Sequence, residues 1–217
     1  MNKKIRNILR KKNKSKIVSL TAYSKSIAKI LDKHCDIVLV GDSMANVLYG
    51  LENTHDISLK NIIQHTKSVK KGVKKSLLVV DMPKGTYTNK ITAKKNAKKI
   101  MKTTNCDAVK IESNNKNYDI LKELVKNKIP VMGHIGYTPQ FKKKFKIEGE
   151  TFFKAKKLLK EALLIEKAGA FSIDIASFKS SSAFAFVSPS ILNFFLNCGV
   201  KPICPMTGIL CLTSSFI

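Results

Sequence analysis

The sequence predicts a parallel α/β fold closing as a (β/α)8 barrel, and three observations carry that expectation. Short β-branched runs alternate with amphipathic, lysine-rich stretches, the βαβα order of a parallel sheet. The runs are apolar almost throughout, as expected of strands covered on both faces, which leaves a barrel or a doubly wound sheet. Ionisable residues then stand at the carboxyl ends of four successive runs: Asp42, Asp81, Glu112 and His134. Groups gathered at the ends of successive strands meet at the top of a barrel, and this favours the barrel.

The elements follow in order. Strands are predicted at 17–22 (IVSLTA), 36–41 (DIVLVG), 77–81 (LLVVD), 107–112 (DAVKIE), 129–134 (IPVMGH) and 171–175 (FSIDI). Helices are predicted at 24–34, 58–71, 92–104, 116–127 and 151–168. The last carries Phe152, Ala155, Leu158, Leu159, Ala162, Leu163 and Ile165 at helical spacing. Gly72 and Gly169 are placed to close helices. Residues 1–15 read as a basic N-terminal extension, 16–175 as barrel units one to six, and 176–217 as an atypical tail in place of the last units.

Composition narrows the class. With 217 residues, 44% hydrophobic and 25% charged, the chain suits one globular domain. No apolar core follows the basic start, so no secretory signal is expected, and no apolar run is long enough to predict a membrane span. Five cysteines without a C-x-x-C pair suit reduced thiols in a cytoplasm. A net charge of +25 would ordinarily point to nucleic acid. Yet among 40 basic residues only Arg6 and Arg10 are arginine, and the lysines are scattered without stacking aromatics. The bias fits an A- and T-rich coding sequence better, and no nucleic-acid partner is expected.

Taken singly, each strand-end residue has an ordinary explanation. Asp42 or Asp81 could cap a helix or turn, Glu112 could face solvent, and a lone His134 is more often structural. Four in register across consecutive strands point to a site.

Five stretches carry a family resemblance: TAY at 21–23, VGDS at 40–43, DMP at 81–83, VKIE at 109–112 and GHIGYTPQ at 133–140. The pair His65-Thr66 and VKKG at 69–72 belong with them. In this order and spacing the chain resembles ketopantoate hydroxymethyltransferase over roughly residues 16–175. The resemblance implies a barrel of the phosphoenolpyruvate-binding kind and a cytoplasmic enzyme of pantothenate biosynthesis, a homo-oligomer when folded. It would transfer a hydroxymethyl group from 5,10-methylenetetrahydrofolate to 3-methyl-2-oxobutanoate. It further implies that Asp42, Asp81 and Glu112 hold Mg²⁺, and that Ser43, Lys110 and His134, with Asp42 and Asp81, contact the keto acid. Those residue types suit the chemistry, because a hard cation on oxygen ligands can stabilise the enolate charge. A related Mg²⁺-dependent keto-acid enzyme of the same barrel class, or an inactive remnant, are the alternatives.

The sequence also departs from the family. The family's general base is a glutamate six residues after A-G-A, and here Ala176 occupies that position after Ala168-Gly169-Ala170. Asp174, two residues earlier on the same strand face, is the surrogate candidate. Ser24 replaces an aspartate after T-A-Y, and KIEGE at 146–150 is shorter than the family's loop. All 15 acidic residues fall within 1–174, and the final 43 residues hold none, with Lys179 and Lys201 their only basic residues. So abrupt a change is expected of a shifted reading frame, with loss by truncation or drift the alternative, and KPICPMTG at 201–208 bears only a faint likeness to a late strand and loop.

Overall fold

The computed structural model describes residues 2–12, 14–113, 117–141 and 147–176. Its strands are β1 (Ser19–Thr21), β2 (Ile37–Val40), β3 (Leu77–Asp81), β4 (Ala108–Glu112), β5 (Val131–Gly136) and β6 (Ser172–Ala176). Its α-helices are α1 (Lys3–Arg10), α2 (Lys25–Leu31), α3 (Met44–Tyr49), α4 (Leu59–Lys70), α5 (Lys90–Thr104), α6 (Tyr118–Lys126) and α7 (Phe152–Lys167). Every predicted strand and helix is present, with ends displaced by a few residues. The 3₁₀ turn Thr54–Asp56, α1 and α3 were not predicted. The tail beyond Ala176, including 201–208, lies outside the described residues.

Local chemistry sets the helix starts. Ser58 accepts from Asn61 N–H at 3.2 Å while the Asn61 side chain accepts from Ser58 N–H, a reciprocal cap on α4. Asn89 caps α5 and Thr151 caps α7 in the same one-way fashion. Ser24, the residue standing in for the family aspartate, caps α2, so that exchange preserves a helix start. Gly72 ends α4 where a Cβ would lie 2.5 Å from the Lys25 carbonyl oxygen, a close approach that excludes larger residues.

The six strands form one parallel sheet in the order β1-β2-β3-β4-β5-β6, with each neighbour also next in sequence. Consecutive parallel strands joined by helices are the wall of a (β/α) barrel. Alternation splits each strand into two rows. Val38, Val40, Leu78, Val80, Val109, Ile111, Val131 and Ile135 pack outward in the main core with buried faces of α2, α4, α5, α6 and α7. Ile37, Leu39, Leu77, Val79, Ala108 and Met132 form a second cluster on the other face, joined by Ile5 and Ile8 of α1. The basic N-terminal stretch therefore contains a helix whose apolar side closes the floor of the barrel. Asn2 Nδ2 and Lys4 Nζ reach Asp107 at 2.5 and 3.4 Å, and Lys11 pairs with Asp36 at 2.5 Å, which fixes that helix to the sheet. Further along the inner row, toward the strand carboxyl ends, apolar residues give way to Asp81, Lys110, Glu112, His134 and Asp174.

Among the described residues no helix is long and apolar enough to cross a membrane.

One carboxylate ties the helical layer to the sheet. Asp32, at the end of α2, accepts backbone N–H bonds from Lys74, Lys75 and Ser76 at 2.8–3.1 Å. Burial alone would raise its pKa, but the backbone donors of Ser76, Lys75 and Lys74 outweigh it and hold the carboxyl below its usual range. A depressed folded pKa contributes stability that is present above the unfolded value and lost as pH falls through the folded one. Asp32→Ala is expected to cost about 2–3 kcal/mol at neutral pH, because three donors lose a charged acceptor. Urea unfolding at pH 7 and below pH 4 checks this, the difference between variant and parent shrinking at the acid end.

Candidate active site

Sheet register assembles the site. Asp81 is paired with Lys110, Glu112 with His134, and His134 with Asp174. Residues two apart share a strand face, so Lys110 and Glu112 lie on the same inner row. Asp42 lies two residues past the end of β2, and its backbone N–H donates to Asp81 Oδ2 at 3.1 Å. Gly41 makes this approach possible, since a Cβ there would meet Ser43 Oγ at 2.9 Å and Asp81 Oδ2 at 3.4 Å.

Asp42, Asp81, Lys110, Glu112, His134 and Asp174 are all buried. The Lys110 ammonium lies between two carboxylates, 3.2 Å from Asp81 Oδ1 and 3.4 Å from Asp174 Oδ2. Glu112 Oε1 lies 3.7 Å from His134 Nδ1. Burial, then the neighbouring charges, sets the proton affinities. Desolvation lifts Asp81 to about 7, with Lys110 opposing and Asp42 adding repulsion. Desolvation and the nearby Asp42 and Asp81 charges lift Glu112 to about 9, against the pull of Lys110. Asp42 is raised as well, by burial, although Lys110 and Gln140 draw it down. Lys110 moves upward despite its own burial, because Asp81, Asp174 and Asp42 all favour its charged form. Negative charge thus exceeds the positive charge Lys110 supplies, and the pocket favours a further cation or bound protons.

Ser43, at the start of α3, is half-buried and hydrogen-bonded to the Tyr23 hydroxyl at 2.7 Å. His65 lies 2.9 Å from the Tyr23 carbonyl through Nδ1, so that nitrogen carries the proton. In the neutral ring its Nε2, 3.0 Å away, accepts from the Tyr49 hydroxyl. His65 therefore steadies the TAY segment from outside. Asp174 is engaged by Lys110. Ala176, two residues on, is half-buried on the same row at the end of β6, and its carbonyl accepts from Tyr137 N–H at 3.0 Å. Gly136, at φ +86°, is required opposite it, since a Cβ there would lie 2.3 Å from the Ala176 carbonyl oxygen.

Two side chains at the site had no role assigned from sequence, Gln140 and Tyr87. Gln140 Nε2 donates to Asp42 Oδ2 at 2.7 Å, its backbone N–H donates to Glu112 Oε2 at 2.9 Å, and the Tyr87 hydroxyl donates to its Oε1. Gln140 closes the GHIGYTPQ stretch, which was a signal; Tyr87, in a Gly-Thr-Tyr-Thr loop, gave none.

The family model described as Ketopantoate hydroxymethyltransferase matches residues 2–187. The chain belongs to the ketopantoate hydroxymethyltransferase family. It is 54% identical over 183 residues to the 3-methyl-2-oxobutanoate hydroxymethyltransferase of Pelagibacter ubique, covering 84% of this chain and 71% of that protein. The enzyme of that name from Aliarcobacter butzleri is 40% identical over 182 residues, covering 82% and 68%. That from Campylobacter concisus is 44% identical over 172 residues, covering 78% and 64%. The chain thus spans about two thirds of the length of these relatives. Among solved structures, a 2,3-dimethylmalate lyase of the PEP mutase/isocitrate lyase superfamily aligns with TM-score 0.61 at 12% identity, over 84% of this chain and 64% of that one. A phosphonopyruvate hydrolase in complex with oxalate and Mg²⁺ aligns with TM-score 0.60 at 11% identity, over 80% and 63%. These likenesses bear on fold alone and agree with six units of that superfamily's barrel.

The raised carboxyls carry a pH consequence. A folded pKa above the unfolded value of about 4 means that the native state binds more protons between them, so stability falls as pH rises through that interval. The metal-free protein is expected to lose stability from about pH 5 to pH 8, and Asp81→Asn to flatten that slope. Melting temperatures across the interval check it, and a slope unchanged by the substitution would contradict the assignment.

Proposed function

We propose that this chain binds 3-methyl-2-oxobutanoate in a Mg²⁺-dependent manner at the ring formed by Asp42, Asp81, Lys110, Glu112 and His134, and that this ring serves hydroxymethyl transfer from 5,10-methylenetetrahydrofolate. The observation that carries the reading is the excess of buried carboxylate over ammonium at the carboxyl ends of adjacent strands. Among the described residues no three His, Cys, Asp or Glu side chains form a ready-made metal cage. Mg²⁺ does not need one, because it keeps several waters and takes one or two carboxylates together with substrate oxygens. The donors present fit it: Asp42, Asp81 and Glu112 offer hard oxygen atoms, and their raised proton affinity is what an added cation would relieve. When bound, the ion would draw charge from the keto acid's oxygens and so make the adjacent C–H more acidic.

The protein's own residues do the rest. Lys110 supplies a fixed positive charge for the substrate carboxylate, and Ser43, steadied by Tyr23, supplies a hydroxyl hydrogen bond. His134 approaches the keto acid from the strand beyond Glu112. A base must then remove the proton beside the ketone; that carbon bonds to the folate methylene, water supplies the hydroxyl oxygen, and tetrahydrofolate departs. The base is where this chain is weak. Asp174 is held by Lys110 deep in the row, and Ala176 presents only a methyl group at the strand end. That observation favours a second reading, a protein that binds the keto acid without turning it over.

Two measurements test the pair of readings. Asp81→Asn is expected to weaken Mg²⁺-dependent keto-acid binding about a hundredfold, equivalent to about 2.7 kcal/mol for one charged ligand. Calorimetry with Mg²⁺ and with chelator reads this, and binding indifferent to both metal and substitution would sink the site. Turnover of the unaltered chain is expected to fall about 10²–10⁴-fold below a relative carrying the glutamate. Ala176→Glu should recover part of it, whereas normal turnover that survives Asp174→Asn would place the base elsewhere.

A further inference from the structure

Gln140 is 2% exposed, and each polar group of its side chain is committed. Its Nε2 donates to two acceptors, Asp42 Oδ2 at 2.7 Å and the Met82 carbonyl at 3.1 Å. The Met82 carbonyl can only accept, so the amide orientation is decided: nitrogen toward Met82 and Asp42, oxygen toward the Tyr87 hydroxyl. The backbone N–H of the same residue takes Glu112 Oε2 at 2.9 Å. One residue in the loop after β5 thus grips a carboxylate beyond β2 and another on β4, leaving β3 between them.

We propose that Gln140 is a positioning residue that holds Asp42 and Glu112 in their cation-facing arrangement, with Tyr87 as its anchor. The proposal rests on the metal-binding reading above and adds the device that keeps the ligands in place. Two carboxylates brought together in a buried pocket repel each other and drift toward other donors. A neutral amide can hold one oxygen of each without cancelling the charge a cation needs, where a lysine or arginine would cancel it. The side chain is also specific. Glutamate would add a further negative charge facing Asp42, asparagine is one methylene too short, and methionine keeps the volume but donates nothing. The grip on Glu112 comes from the backbone, so changing the side chain frees Asp42 directly and loosens Glu112 only through the loop.

The test is calorimetric titration of 3-methyl-2-oxobutanoate with saturating Mg²⁺ and with chelator, beside melting temperatures without ligand. Gln140→Met is expected to lower the Mg²⁺-dependent gain in affinity about tenfold, the effect common for groups that orient metal ligands, while metal-free affinity stays unchanged. Tyr87→Phe should act in the same direction by about threefold, and the double variant should be no worse than Gln140→Met alone, because both act through one side chain. An undiminished gain in Gln140→Met overturns the proposal, as does an equal loss with and without Mg²⁺, which marks a general structural role. If Gln140→Met does not fold, Tyr87→Phe decides: an unchanged gain overturns the positioning role, and a reduced gain at unchanged melting temperature supports it. Absence of any Mg²⁺-dependent gain in the unaltered chain overturns the metal reading itself and this proposal with it.

Discussion

The buried ammonium of Lys110 is the interaction on which the acidic end of this barrel depends. Asp81 and Asp174 contact it directly, and its charge also draws down Asp42 and Glu112. Removing four carboxylates from water around no cation would cost several kcal/mol for each that stayed ionised. With one cation among them the cluster is tolerable but not neutralised. In the proposed reading that residual imbalance is what a divalent ion and an anionic keto acid would relieve together, since a doubly charged cation and a singly charged anion leave a net positive charge.

The same alternation that makes strands legible makes this site legible. Runs such as LLVVD and AVKIE read as strands because the outer face is apolar throughout and the inner face begins apolar, until ionisable residues interrupt it toward the carboxyl end. Asp81, Glu112 and His134 were visible in this way, and each lies on the inner row. What could not be read was contact across sequence. Half of helix α1 is charged, and Ile5 and Ile8, three residues apart, mark its buried side. Helix α3 is a six-residue piece with no cap bond from Ser43, too short for its periodicity to register. Gln140 and Tyr87 owe their place to hydrogen bonds made 53 residues apart, which no local pattern encodes.

In the proposed reading, two residues on one strand row separate binding from proton removal. Asp174 is level with His134 and Glu112 in the sheet register and serves as a counter-charge to the Lys110 ammonium. Ala176, one pleat nearer the strand end and level with Gly136, occupies the place where a carboxylate could face the substrate. On that reading the apparatus for holding the anion lies at the ends of β2 to β5, and that for abstracting a proton would lie at the end of β6.

The floor helix ties the beginning of the chain to its middle. Asn2 and Lys4 find their shared acceptor in Asp107, more than a hundred residues further along. Contacts of such sequence separation form late, because a long loop must close before they gain anything. During synthesis α1 is made first yet has nothing to dock on until β2, β3 and the start of β4 have paired. In that interval the helix carries its exposed Lys3, Arg6 and Arg10 toward water, while the inner face of the half-built sheet is still open.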